Sequence, residues 1–222
     1  IKGDEIEGIL ITHEHIDHIQ GLGVFSRKYK IPIYGTKGTI EGIRCCHSLG
    51  KLPEGILHEI RVDEKFTLGG MKICPFAISH DAREPSGYRI ENQDKSVAVA
   101  TDLGKYDEYT VEHLKKLNAV VLEANHDIHM LEVGPYPYPL KRRVMGDQGH
   151  LSNELSGRLL CDILHDELQY VVLGHLSKEN NYAELAYETV KLEVSFGDNP
   201  YRGEDIPMMV AKRDTVSEVI TL

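Results

Sequence analysis

No apolar run in this chain approaches the ~20 residues that a helix needs to cross a bilayer. That excludes an integral helical membrane protein, and a soluble protein with no membrane partner is expected. Cysteines are few, and Cys45, Cys46, Cys74 and Cys161 show no CxxC spacing. Adjacent cysteines such as the first two rarely bridge each other, so reduced thiols in a cytoplasmic protein are expected. The opening residues, IKGDEIEG, hold no apolar segment of the export-signal kind. Positive charge is also short: 25 Lys and Arg stand against 35 Asp and Glu, for a net charge of −10. This argues against a broad basic surface coating nucleic acid and leaves room for a locally positive cleft. There is no internal repeat or low-complexity tract, and the one dense Pro/Gly stretch is VGPYPYPL at 133–140. A single continuous domain over 1–222 is expected, long enough to bury a core without disulfides.

What the chain does have is histidine, 12 in 222 residues. Their placement follows the predicted elements. Residues 6–12, IEGILIT, read as a buried strand ending at His13, with Asp17 at a helix N-cap position. A helix is expected from His18 towards Lys28 and a second over 36–46. From Leu57 the pattern turns to strands: LHEIRV, KFTLGGMKICPFAIS with a hairpin turn at Gly69 and Gly70, GYRIE and KSVAVATD. Helices and strands then alternate: helix 108–116, strand 119–123, helix 153–165, strand 170–174 and helix 179–192. PMMVAKRDTVSEVITL closes the chain as a terminal β-hairpin. The class expected is α/β, with helices and a mixed sheet in layers (α+β layered) and the chemistry at strand ends and loops.

His13, His15, Asp17 and His18 stand together in THEHIDH. His13 and His15, one residue apart at the end of an extended segment, point to the same side and can reach one metal. The turn at Ile16 and Asp17 aims Asp17 and His18 towards a second position. A lone histidine is more often a hydrogen-bonded core or surface ring. Three histidines and a carboxylate within six residues are costly unless a cation collects them. Further on, His80 ends the strand in FAISHDA, Asp102 follows VAVAT in TDLG, and His175 follows YVVLG in GHLSKEN.

HxHxDH followed by an isolated His, Asp and His resembles the metallo-β-lactamase superfamily. The resemblance implies an αββα sandwich, expected here to lack its first strands, because family members normally open with SSGNC-like and LIDAG-like segments. It implies two divalent ions: His13, His15 and His80 on one, Asp17, His18 and His175 on the other, and Asp102 bridging. Zn²⁺ suits this ligand set, with Mn²⁺ or Fe²⁺ as alternatives. GHLSN (149–153) resembles the GHS-type motif of phosphodiesterase branches, which casts His150 as general acid or phosphate partner; the structural alternative is a residue beside a helix N-terminus. His150 and Asp17 are the catalytic candidates.

The string EANHDIHMLEVGPYPYPLKRRVMGDQGHLSN, with SHDAREPSGYRI, is similar to the YycJ/WalJ group of the superfamily, associated with 5′-to-3′ exonuclease activity on DNA. The function implied is a binuclear-metal phosphodiester hydrolase, a DNA exonuclease in which a metal-bridging hydroxide is the nucleophile. A thioesterase or lactamase-like hydrolase and a non-catalytic metal-binding regulatory domain are the alternatives. Glu123 is expected to orient a ligand histidine. His126 fits a ligand, a substrate contact or an ordered loop residue. Lys141, Arg142 and Arg143 fit a phosphate track or a solvated helix face, and Tyr136 and Tyr138 fit base stacking or loop packing.

Overall fold

The computed structural model describes residues 2–222. The chain forms two compact units, one made of the residues up to Ala77 with Asp81–Asn92, the other of Ile78–His80 with Gln93–Leu222.

The first unit opens with β1 (Ile9–Leu10), α1 (Ile16–Ile19), α2 (Leu22–Tyr29), β2 (Ile33–Thr36), α3 (Lys37–Cys45) and β3 (Leu57–Ile60). β1, β2 and β3 pair in that order, all parallel. Ile11, Ile19, Leu22, Ile33, Ile40 and Ile43 supply the apolar cluster of this unit, so strand and helix are held by one buried patch. Thr36 caps α3 by accepting the Thr39 N–H, as a Thr preceding an apolar-periodic run predicts. β4 (Phe66–Leu68), β5 (Met71–Ala77) and β6 (Ser86–Asn92) form an antiparallel set. Gly69 and Gly70 make the expected turn, with φ of 60° and 77° that favour glycine.

The second unit is a parallel sheet of β7 (Lys95–Ala100), β8 (Ala119–Glu123), β9 (Tyr170–Gly174) and β10 (Met208–Val210), paired in that order. Parallel neighbours need crossovers. These are α4 (Glu108–Leu114) after β7, then α5 (Ile128–Val133), α6 (Tyr138–Val144) and α7 (Asn153–Ile163) after β8, and α8 (Ala183–Phe196) after β9. Register aligns Ala100 with Leu122, Leu122 with Leu173 and Glu123 with Gly174. The carboxyl ends of three adjacent strands therefore open at one edge, the place where parallel sheets put their chemistry.

Four expectations are corrected. The N-cap of α1 is His15, not Asp17, which lies in the first turn of the helix, where its negative charge suits the positive end of the helix dipole. The helix expected from His18 to Lys28 is two helices, broken at Gln20 and Gly21, where glycine lowers helix propensity. α8 begins at Ala183 rather than Glu179, because Asn180 and Asn181 are buried and spend their side chains on loop contacts. The terminal hairpin is absent among the described residues: Met208–Val210 is one strand parallel to β9. Beyond it, Val216 and Val219 are 98% and 92% exposed and have no face to bury, so no second strand is stabilised.

Candidate metal centre

In the first unit, the strand end delivers His13 into a buried position, while His15 and His18 stay half-buried. The His13 ring lies 4.5 Å from His15 in a T-shaped contact and 4.1 Å from His18 at a tilt of 47°. Thr12, which the sequence reading passed over, touches both: its Oγ1 is 3.1 Å from His13 Nδ1 and 3.2 Å from His18 Nδ1. A hydroxyl donates once and accepts as well, so one side chain fixes the Nδ1 edge of two rings and sets their Nε2 edges on the far side. Asp17 is mostly exposed, with Oδ2 3.6 Å from His18 Nε2. Asp81, also unanticipated, stands 3.8 Å from His15 Nε2. The segment delivering these histidines is tied down from β6: Tyr88 OH donates to the Ile11 carbonyl at 2.7 Å and the Ser86 N–H to the Thr12 carbonyl at 2.9 Å.

In the second unit, His80 is buried, and its Nδ1 donates to the Gly149 carbonyl at 3.0 Å, which leaves Nε2 as the lone-pair edge. Gly104 permits this approach, because a Cβ there would overlap the backbone of Asp147 and Gly149. Glu123, at the end of β8 and fully buried, is the hub. Its Oε1 accepts from His150 Nδ1 at 2.9 Å and His175 Nδ1 at 2.8 Å, and its Oε2 accepts the backbone N–H groups of Leu103 and Leu151. Burial by itself would raise this carboxyl, but the hydrogen bonds and charges of His150 and His175 outweigh it and hold Glu123 well below the usual carboxylate range.

Asp102 Oδ1 sits 3.6 Å from both His80 Nε2 and His175 Nε2. That separation is too long for a hydrogen bond. It suits two donors on a shared ion, since ligands at ~2.1 Å around a tetrahedral metal lie ~3.4 Å apart. Donor atoms of Asp102, Glu123, His150 and His175 all lie within 4.8 Å of one another. Imidazole nitrogens with a carboxylate form a donor set that fits a divalent transition metal. Asp102 and His175 also adopt left-handed backbone, φ 63° and 55°, a conformation that costs non-glycine residues energy and concentrates at functional sites.

A buried amide network holds the segment after β9. Asn125 Nδ2 donates to the His175 carbonyl at 2.9 Å, and Asn181 donates to the carbonyls of Ala124 and Asn125 and to Asn153 Oδ1. The signal was present in the strings EAN, LSN and ENN, the first directly after a strand and the other two just before helices. His126 is buried, its Nδ1 has no hydrogen-bond partner, and burial lowers its pKa to about 4. Lys141, Arg142 and Arg143 lie on α6: Lys141 Nζ donates to the Glu132 carbonyl at 2.6 Å, and both arginines are exposed. Tyr136 is half-buried and Tyr138 exposed.

The beta-lactamase superfamily domain model matches residues 2–171. The exodeoxyribonuclease YycJ of Bacillus anthracis is 39% identical over 187 residues, which cover 84% of this chain and 70% of that protein. The exodeoxyribonuclease WalJ of Streptococcus pneumoniae is 37% identical over 197 residues, 89% of this chain and 73% of that one. Among solved structures, the metallo-beta-lactamase fold protein YhfI of Bacillus subtilis aligns over 96% of this chain and 77% of its own, with TM-score 0.68 and 16% identity. The short form of human tRNase Z aligns over 99% and 82%, with TM-score 0.64 and 16% identity. At such identities these likenesses speak to the fold alone. The chain belongs to the beta-lactamase superfamily, as a YycJ/WalJ-like metal-dependent hydrolase.

Proposed function

We propose that the chain is a binuclear-metal phosphodiesterase that removes nucleotides from an end of DNA. The observation that carries this reading is the arrangement around Glu123 and Asp102, in which a buried carboxylate fixes two imidazoles by Nδ1 while Asp102 Oδ1 stands equidistant from two Nε2 atoms. The relatives named exodeoxyribonucleases support the choice of DNA. On the family's ligand pattern, His13, His15 and His80 would hold one ion and Asp17, His18 and His175 the other, with Asp102 available to both. Zn²⁺ is the ion the imidazole-rich set favours, ahead of Mn²⁺ or Fe²⁺.

Such ions supply an activated water as nucleophile and neutralise charge gathering on the phosphate. The chain's own residues do the remainder. Glu123 holds His150 by Nδ1, so the opposite edge, Nε2, is the one that delivers a proton to the departing oxygen. The carboxylate compensates positive charge on that ring. Thr12, Gly149 and Glu123 fix ring orientation before substrate arrives, which removes reorganisation from the reaction step. Lys141, Arg142 and Arg143, on the helix leading to His150, supply cationic charge for the strand being degraded.

The test is digestion of end-labelled DNA and RNA, with and without 5′-phosphate, by protein stripped with a chelator and reloaded with Zn²⁺ or Mn²⁺. Stepwise release of mononucleotides from DNA, only after reloading, is expected. An endonucleolytic ladder, indifference to the end, or turnover of a thioester without any phosphodiester would overturn the reading.

A further inference from the structure

Side chains alternate along an extended segment, so the residue between His13 and His15 turns to the side opposite their rings. That residue is Glu14, and it lies against α3, where a Cβ on Gly42 would overlap its Cβ and Cγ. Alanine would be the better helix former at Gly42, which sits in the helix interior. The close approach of Glu14 is what glycine permits there. One turn earlier, at i−4, a Cβ on Gly38 would overlap Glu84 Cβ and crowd Arg83. The Arg83–Glu84 segment is also bonded to the start of α3. The Gly38 N–H donates to Glu84 Oε2 at 2.7 Å, and the hydroxyls of Thr36 and Thr39 donate to the Glu84 carbonyl. The two segments meet directly, since the Arg83 N–H donates to Glu14 Oε1 at 2.9 Å. Glu14 Oε2 is buried without a hydrogen-bond partner, which is costly for a carboxylate placed merely for solubility. Two residues before Arg83, Asp81 Oδ1 faces His15 Nε2 at 3.8 Å, both side chains being half-buried. Among the described residues Asp81 joins none of the donor groups able to share an ion, so its charge acts on the ring. A carboxylate so placed favours the ring hydrogen on Nε2 and leaves Nδ1 as the lone-pair edge.

From this chain of contacts we infer that Glu14 is a positioning residue for the metal centre: by holding the Arg83 N–H over the glycine face of α3, it keeps Asp81 beside His15. The inference rests on the metal-centre part of the reading above and deepens it. Because Glu14 works through Asp81, its removal is felt at His15 only while Asp81 is present. A residue that merely stabilised the fold would act whether Asp81 were there or not.

The experiment measures Zn²⁺ affinity of the full chain by competition with a chromophoric chelator, alongside thermal unfolding of the metal-free protein. Asp81→Ala is expected to weaken binding about 10-fold, the lower end of the loss from removing a partner of a ligand histidine. Glu14→Leu should weaken it by about 3- to 10-fold, and Glu14→Gln, which keeps an acceptor for the Arg83 N–H, should stay within about twofold of the parent. The double variant Glu14→Leu/Asp81→Ala should match Asp81→Ala alone within about twofold, because coupled residues do not add. Gly42→Ala reaches the same contact from the helix. Propensity alone makes that protein the more stable one, whereas displacement of Glu14 makes it the weaker Zn²⁺ binder. Weaker binding without a lower unfolding temperature is the expected result. Parent-like affinity in both Glu14→Leu and Gly42→Ala, losses that add in the double variant, or Glu14→Gln as damaging as Glu14→Leu would overturn the inference. An unsubstituted chain that takes up no Zn²⁺ would sink the metal centre and this inference together. One that takes up Zn²⁺ but hydrolyses no DNA would sink the nuclease reading alone.

Discussion

The two units hold their histidines by different chemistry. In the first, one neutral hydroxyl, Thr12 Oγ1, touches the Nδ1 atoms of His13 and His18, and the rings pack against one another. In the second, a fully buried carboxylate, Glu123, takes the Nδ1 atoms of His150 and His175 and two backbone N–H groups besides. A hydroxyl costs little to bury and returns little. A buried carboxylate is stable only when saturated with donors, and once saturated it fixes its partners far more firmly. The left-handed backbone at Asp102 and His175 belongs to the same contrast, because conformations costing about 1–3 kcal/mol persist only where the surroundings over-determine them. The second unit therefore holds its own histidines the more rigidly.

The largest test of that contrast removes Asp102, the carboxylate proposed as common to both ions. Asp102→Ala should reduce phosphodiesterase activity to background while circular dichroism and thermal unfolding stay close to the parent; retained activity would end the assignment. Next is Glu123→Leu, which leaves His150 and His175 without their buried acceptor and should cost about 3–5 kcal/mol of stability, read by denaturant unfolding. Glu123→Gln keeps the shape and an acceptor oxygen but loses the charge. About 10- to 100-fold loss in metal affinity or turnover is expected. If Glu123→Leu unfolded no more easily than the parent, the hub would be decoration.

How much of this was legible in the sequence follows from the physics of each feature. Buried strands such as VAVAT and YVVLG announce themselves by apolar, β-branched composition, and β7 to β9 lie where that composition places them. Asp102 and His175 were singled out by the family's ligand pattern, and each directly follows such a strand. Thr12 was missed because a threonine at a strand end is ordinary, and only its distance to two rings gives it a role. The start of α8 was missed because Asn180 and Asn181 suit a helix entrance by propensity, while tertiary contacts claim them for the loop. The terminal hairpin was over-read: β-branched residues make a strand only when a face exists to bury them.

The contrast also predicts opposite pH limits. In the first unit, burial pushes the Tyr88 phenol from 10 to about 12, and its OH holds the strand that delivers His13. A raised folded pKa gives stability that is complete below pH 10 and lost as pH climbs to about 12, a loss of roughly 2–3 kcal/mol. In the second unit, burial depresses His126 from 6.5 to about 4. That contribution is complete above pH 6.5 and lost as pH falls towards 4, again by roughly 3 kcal/mol. Denaturant unfolding across pH should show both shoulders. Tyr88→Phe should remove the alkaline one and His126→Leu the acid one, and exchange of the two assignments would break the comparison.

The smallest effect decides whether the hydroxyl matters at all. Thr12→Val preserves shape and β-branching and deletes only the oxygen between His13 and His18. One hydrogen-bonding partner lost from each ring is worth about 0.5–1.5 kcal/mol, so metal affinity should fall about 2- to 12-fold, with Thr12→Ser restoring it. Stability should hardly move, because Thr12 is only half-buried and its backbone carbonyl still accepts the Ser86 N–H. A loss as large as that of Glu123→Gln would mean that a neutral hydroxyl orients these rings as firmly as a buried charge, and the two units would then not differ in rigidity. No loss at all would mean that His13 and His18 are oriented by ring packing and strand geometry alone. The predicted result lies between these, small in stability and measurable in metal affinity, because only ring orientation depends on that oxygen.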